Sequence, residues 1–259
     1  MKPECPAWAP PLLALQFLTR VPVPGVGRLS EEGVRVGLGR AMAWFPLVGA
    51  GVGSIAAGTM LLAEQVWPRF VAVVVALIVE ALLTGAFHED AVADFCDGVG
   101  GGRDPEHVRK IMKDSRIGSY GALGLTLAVS LRALLMFSLA ASLTVPAIIA
   151  AATLGRLTAA VVMTTTPPAQ ASTAGLASFI TRAVRFRDVA LACAMALPGL
   201  LPLASAAPLR LFSAVLAATA FLVWLRPFLM RRVGGATGDC LGFAVYAVQL
   251  LVLLAATAS

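Results

Sequence analysis

The chain has 259 residues, is 59% hydrophobic and only 13% charged, and carries a net charge of +6. In soluble domains roughly a quarter of residues are charged, so this composition excludes one and turns most of the apolar surface toward lipid. The basic residues sit in short clusters between apolar runs, a pattern of membrane topology that excludes a nucleic-acid-binding face. No linker separates two compositions, and residues 1–259 are read as a single integral membrane domain.

A bilayer core about 30 Å thick needs roughly 20 apolar residues in helical form. Residues 11–19 are too short for that and are expected to lie in the interface or re-enter. Seven segments qualify: 41–63, 69–87, 121–143, 145–165, 189–207, 211–230 and 241–257. The expected fold is therefore all-α, a polytopic transmembrane helical bundle of about seven spans. In the first span Gly49, Gly51, Gly53 and Gly58 predict close helix packing. Cations alternate between connections: Lys2, Arg20, Arg28, Arg35 and Arg40, then Arg103, Arg109, Lys110, Lys113 and Arg116, then Arg182, Arg185 and Arg187, then Arg226, Arg231 and Arg232 share one side. The other side receives Arg69 and Arg210. By the positive-inside rule the first side is cytoplasmic. Arg132 and Arg156 fall inside predicted spans, where a guanidinium costs at least about 2.5–3.5 kcal/mol. Each either snorkels to an interface or faces inward, toward an anion or an aspartate.

The second span runs into His88-Glu89-Asp90-Ala91-Val92-Ala93-Asp94-Phe95-Cys96-Asp97-Gly98. If the helix continues through it, Asp90, Asp94 and Asp97 stand at i, i+4 and i+7 and share one stripe. Like charges so arranged repel, and an oxygen-only donor set suits a hard cation such as Mg²⁺ or Mn²⁺ rather than zinc. The plainer alternative is a solvated acidic helix end. Glu89 points off the stripe and is expected to face solvent. His88 is open to three roles: interfacial residue, ligand or general base. A glycine run from Gly98 to Gly102 follows, either a flexible turn or backbone that approaches an anion closely. Asp104 and Pro105 then open a short helix to Met112, and Lys113-Asp114-Ser115-Arg116 sets two cations beside a carboxylate. A second polar knot, Arg231-Arg232-Val233-Gly234-Gly235-Ala236-Thr237-Gly238-Asp239, precedes the last span on the same predicted face, where a helix start would offer amides to phosphate or bring Asp239 to the acidic cluster.

These residues resemble the cobalamin synthase family, the adenosylcobinamide-GDP ribazoletransferases. The resemblance covers nearly the whole chain and is carried by Phe17-Leu18-Thr19-Arg20-Val21-Pro22-Val23-Pro24, Phe45-Pro46-Leu47-Val48-Gly49, Thr84 to Gly98, Lys113-Asp114-Ser115-Arg116 with Gly118 and Gly121, and Gly234-Gly235 with Thr237-Gly238-Asp239. It departs at Tyr246 and Gln249, where similar proteins often carry glutamate, and at Ala169, Gln170 and Ala171 before Gly175-Leu176, which lack basic residues. The resemblance implies an inner-membrane enzyme, multi-pass, with its site facing the cytoplasm. It implies transfer of the adenosylcobinamide phosphate from adenosylcobinamide-GDP to α-ribazole or its 5'-phosphate, with release of GMP, Mg²⁺ as cofactor, and other cobalamin-assembly enzymes as partners. On that reading Asp90, Asp94, Asp97 and Asp114 hold metal. His88 or one of the first three aspartates handles the proton. Arg20, Arg103, Lys113, Ser115, Arg116, Arg132, Arg156, Thr237 and Asp239 contact substrate. Two other classes compete. A CDP-alcohol phosphotransferase is echoed by Asp94-Phe95-Cys96-Asp97-Gly98 and Arg103, though without the downstream acidic repeat, and a secondary transporter would be expected to place its acids at the midplane.

Overall fold

The computed structural model describes residues 5–169 and 186–258. Lys2, Arg182, Arg185 and the stretch from Gln170 through Leu176 lie outside the described residues. Eleven α-helices occur among those described: α1 (Ala9–Leu18), α2 (Glu31–Ala41), α3 (Phe45–Ala63), α4 (Arg69–Thr84), α5 (Phe87–Gly101), α6 (Pro105–Met112), α7 (Ser119–Ser138), α8 (Ala141–Thr165), α9 (Phe186–Ala206), α10 (Pro208–Arg232) and α11 (Gly238–Thr257). There is no strand among them, only an isolated bridge between Pro168 and Ala236. Six helical segments, the first joining α2 to α3 through a 3-10 turn at Met42–Trp44 to run from Glu31 to Ala63, are long and apolar enough to cross a membrane, and α4 with α5 makes a seventh candidate. The protein is a multi-pass membrane bundle.

At the centre stands α8, whose run of small residues, Ala150, Ala151, Ala152 and Gly155, lets its neighbours come close. Gly49 and Gly53 of α3 face Ala152, where an added Cβ would meet that backbone or side chain. Gly51 and Gly58 meet nothing within 4 Å, so only two of the four glycines expected to pack do so. Helices α3, α9 and α11 surround α8, with α4 and α7 outside them and α10 at the edge. Leu62, Phe70, Leu82, Leu209 and Val223 are among the most exposed apolar side chains, as a lipid-facing surface requires. The short α1 packs against α2 and α3 rather than spanning.

Two boundaries differ from expectation for a visible reason. The expected spans 121–143 and 145–165 are divided at Leu139 and Ala140 instead. The terminal carbonyls of α7 are taken up by Arg69: its Nε donates to Phe137 O at 2.9 Å and its Nη2 to Leu139 O at 2.8 Å and to Thr144 Oγ1 at 2.9 Å. Arg210 does the same at Ala256 O, at the end of α11. A cation at a helix C-terminus satisfies orphan carbonyls and the dipole together. The second departure is larger. Span 69–87 does not run straight into the acidic segment, because Gly85 (φ 72, ψ 27) and Ala86 (φ 55, ψ 26) are both left-handed and the chain turns 89° between α4 and α5.

On the side opposite Arg69 and Arg210 the helix ends are braced to one another. Arg232 at the end of α10 donates to Val99 O and Gly102 O at the end of α5, and Arg109 of α6 donates to Val233 O. Ala169 N and Ala236 O join the exit of α8 to the loop before α11. The glycine run is helical to Gly101 and serves packing rather than an anion turn: Gly98 meets Met112, Gly100 the Tyr120 ring and Gly102 Val108.

Candidate active site

The acids sit where this braced rim meets α5. Within α5, Asp90, Asp94 and Asp97 keep the spacing that puts them on one stripe, yet their surroundings differ. Asp90 is exposed and Asp94 half-buried. The charged neighbours acting on Asp94 are Asp90, Asp239 and Asp97, in that order. Asp239, in the first turn of α11, feels Asp90 and the ammonium of Lys113. Of the two alternatives the sequence left at this helix start, the fold brings Asp239 near the acidic cluster. None of the ion pairs among the described residues engages Asp90, Asp94 or Asp239.

Asp97 is placed otherwise. It is buried, and its two oxygens accept from Gly118 N at 2.6 Å and Gly121 N at 2.8 Å, the orphan amides that open α7. A Cβ on either glycine would collide with that carboxylate. Asp114 is not brought to the stripe either. Arg116 donates Nε to its Oδ1 at 3.0 Å and Nη2 to its Oδ2 at 2.7 Å, and these hydrogen bonds hold the carboxyl down at about 2. The pair is exposed, with Arg116 almost wholly in solvent. Lys113, Ser115 and Arg103 are exposed beside it, and Lys113 also edges an open groove of about 450 Å³ along α6, shared with Arg109, Lys110 and His107.

The remaining candidates divide. Thr237 caps α11, its Oγ1 accepting from Cys240 N at 3.3 Å. Arg20 is exposed, its side chain lying against Gly85 at the elbow and its amide donating to Leu83 O at 2.7 Å. His88 is 3% exposed and turns into the bundle, where it borders a chamber of about 50 Å³ with Phe17, Phe45, Phe87 and Arg156. Arg156 is fully buried; its Nη1 donates to Ala152 O at 3.1 Å while Nε and Nη2 have no hydrogen-bond partner among the described residues.

Arg132 corrects two expectations at once. It does not reach the rim, and its partners are glutamates rather than an aspartate: Nη2 meets Glu80 Oε2 at 2.6 Å and Nη1 meets Glu89 Oε1 at 3.6 Å, with the Tyr246 ring 5.4 Å from the guanidinium carbon. Glu89 therefore faces inward, not toward solvent. The turn at Gly85 and Ala86 rotates α5 so that residues beside the acidic stripe meet α7. Glu80 is the residue that sequence reasoning missed. Its signal was available: one acid in the middle of an apolar run, matched by an arginine in the next span.

The rim suits a hard divalent cation. Its donors are carboxylate oxygens only, they crowd one another's charge, and they come from two helices that meet where Gly242 packs on Ala91. Among the described residues no three His, Cys, Asp or Glu side chains enclose an ion by themselves.

The family model described as Cobalamin-5-phosphate synthase matches residues 10–257, which contain every element of this rim. The chain belongs to that family. Curated relatives named adenosylcobinamide-GDP ribazoletransferase match over nearly their full lengths. The one from Leptothrix cholodnii is 39% identical, covering 93% of this chain and 92% of the relative. The one from Vibrio cholerae is 37% identical, covering 94% and 91%. The one from Ralstonia pickettii is 36% identical, covering 95% and 94%. No solved structure matches the chain.

Proposed function

We propose that this member of the cobalamin-5-phosphate synthase family is a Mg²⁺-dependent adenosylcobinamide-GDP ribazoletransferase of the inner membrane, with its rim in the cytoplasm. The hydroxyl of α-ribazole, or of its 5'-phosphate, attacks the phosphorus that bears the cobinamide. The new P–O ester bond forms, the bond to the bridging oxygen breaks, and GMP leaves. The observation that carries the reading is the convergence of Asp90, Asp94 and Asp239 from two helices, with no salt bridge to them among the described residues, in a chain whose relatives bear that name.

Bound Mg²⁺ would neutralise the diphosphate and the charge that develops on the departing phosphate. Asp90, Asp94 and Asp239 are the residues that would contribute to holding it, with water and the substrate's phosphates completing the ligand set. Asp97 supports them by fixing the start of α7 against α5, and Asp114 keeps Arg116 extended into solvent. Lys113, Arg116 and Arg103 supply cations for the phosphates, and the α6 groove gives the guanosine half a place to lie. The proton of the attacking hydroxyl passes to Asp90 or Asp94, which open on the rim; His88 is buried beneath them. Positive charge on the rim-side loops supports the cytoplasmic assignment.

The test is an incubation of purified protein in detergent with Mg²⁺, adenosylcobinamide-GDP and α-ribazole, followed by chromatography of corrinoids and nucleotides. Equal release of GMP and adenosylcobalamin is expected. A parallel arm offers CDP-diacylglycerol and an alcohol. Product there and none in the first arm would overturn the reading in favour of the lipid enzyme.

A further inference from the structure

The elbow between α4 and α5 contains an alanine where the backbone favours glycine. A left-handed alanine is strained and persists only where its surroundings over-determine it. Arg132 stands across that elbow. Glu80 lies just over a turn before the break, Glu89 in the first turn after it, and the guanidinium of α7 meets both, with side chains 4%, 5% and 18% exposed for Arg132, Glu80 and Glu89. Tyr246 of α11 covers the group from the far side. Two acids and one arginine leave an excess negative charge. Arg156, fully buried, acts electrostatically on both Glu80 and Glu89 and brings the set to neutrality. Glu89 adjoins Asp90 in sequence, so any rotation of α5 that loosens this pair carries the rim carboxylates with it.

We propose that Arg132 is the positioning residue of this site: by holding Glu80 and Glu89 together it fixes the angle between α4 and α5, and with it the placement of Asp90 and Asp94. Its kinetic consequence rests on the ribazoletransferase reading, whereas its structural consequence does not.

The test uses full-length protein with Cys5, Cys96, Cys193 and Cys240 replaced and spin labels at Ile78→Cys on α4 and Glu106→Cys on α6. Both sites are exposed, and α6 moves with α5 because Met112 and Val108 pack on Gly98 and Gly102. Double electron–electron resonance then reads the distance across the elbow. Arg132→Lys keeps the charge, but a compact ammonium reaches one acid at a time. The distance distribution is expected to broaden and kcat to fall about 100-fold, with KM for adenosylcobinamide-GDP within about twofold, as for a misplaced catalytic group. The double variant Glu80→Gln/Arg132→Met leaves Glu89 and Arg156 in balance, and so keeps the comparison available if single variants fail to fold. It should broaden the distribution in the same way. A sharp, unshifted distribution in both variants would overturn the proposal, whether kcat falls or stays at the wild-type level. A wild-type protein that makes no product would reject the functional reading instead, and the distance measurement would still judge the clamp.

Discussion

Two sets of acids lie within a few residues of each other on α4 and α5, and the protein treats them in opposite ways. Glu80 and Glu89 are buried and share an arginine at 2.6 and 3.6 Å. Asp90 and Asp94 open on the rim and have other aspartates for charged neighbours. A buried acid without a partner would cost several kcal/mol, so the bundle supplies one. An exposed cluster can tolerate mutual repulsion and keep its lone pairs available to a cation and a diphosphate. Charge is balanced where it holds helices together and left unbalanced at the rim proposed as the reaction site.

The difference can be broken from either end. Asp94→Asn removes a rim donor with little change in shape. It is expected to cut GMP release by about 10²–10³-fold while the melting temperature in detergent holds, the size of effect seen when one group stabilising a developing charge is lost. Wild-type turnover in that variant would remove Asp94 from the site. Arg132→Met leaves two buried acids facing one remaining arginine and should destabilise the fold by about 3–5 kcal/mol in a denaturation assay. Adding Glu80→Gln should recover part of that loss. No recovery would mean that the pair is not the source of the stability.

Asp97 sharpens the contrast, since it belongs to the stripe by spacing and to the scaffold by its hydrogen bonds. Asp97→Asn sets an amide against two backbone donors and should cost about 1–3 kcal/mol of stability, with the Mg²⁺ concentration for half-maximal turnover unchanged. A raised Mg²⁺ requirement at unchanged stability would move Asp97 back among the metal ligands. The smallest structural effect is expected at Arg116→Ala. Its pair with Asp114 is exposed, so melting should not change, and a raised KM for adenosylcobinamide-GDP alone would identify it as a phosphate contact.

Much of this was legible in the residues. Hydropathy located the helices, because backbone groups in lipid leave few alternatives. Cation counting put Asp239 and the acidic cluster on one side, which left their convergence as one of two alternatives. What could not be read was direction. Gly85 marks a place where the chain can turn, but nothing in the sequence shows that Ala86 joins it in the left-handed region, and a straight helix there leaves Glu89 in solvent. The error at Glu89 has that cause, since the face it turns inward is visible only once the 89° elbow is, whereas Glu80 stood in the sequence as a lone acid in an apolar run and could have been matched to Arg132. Asp97 escaped for a related reason, since the amides it accepts belong to a helix more than twenty residues later.

Arg69 and Arg210, the two cations on the far side, are both occupied with the carbonyl ends of α7 and α11. Every other described cation cluster stands with the rim. On the ribazoletransferase reading proposed above, the cations that would meet an anionic substrate therefore all lie at one end of the bundle.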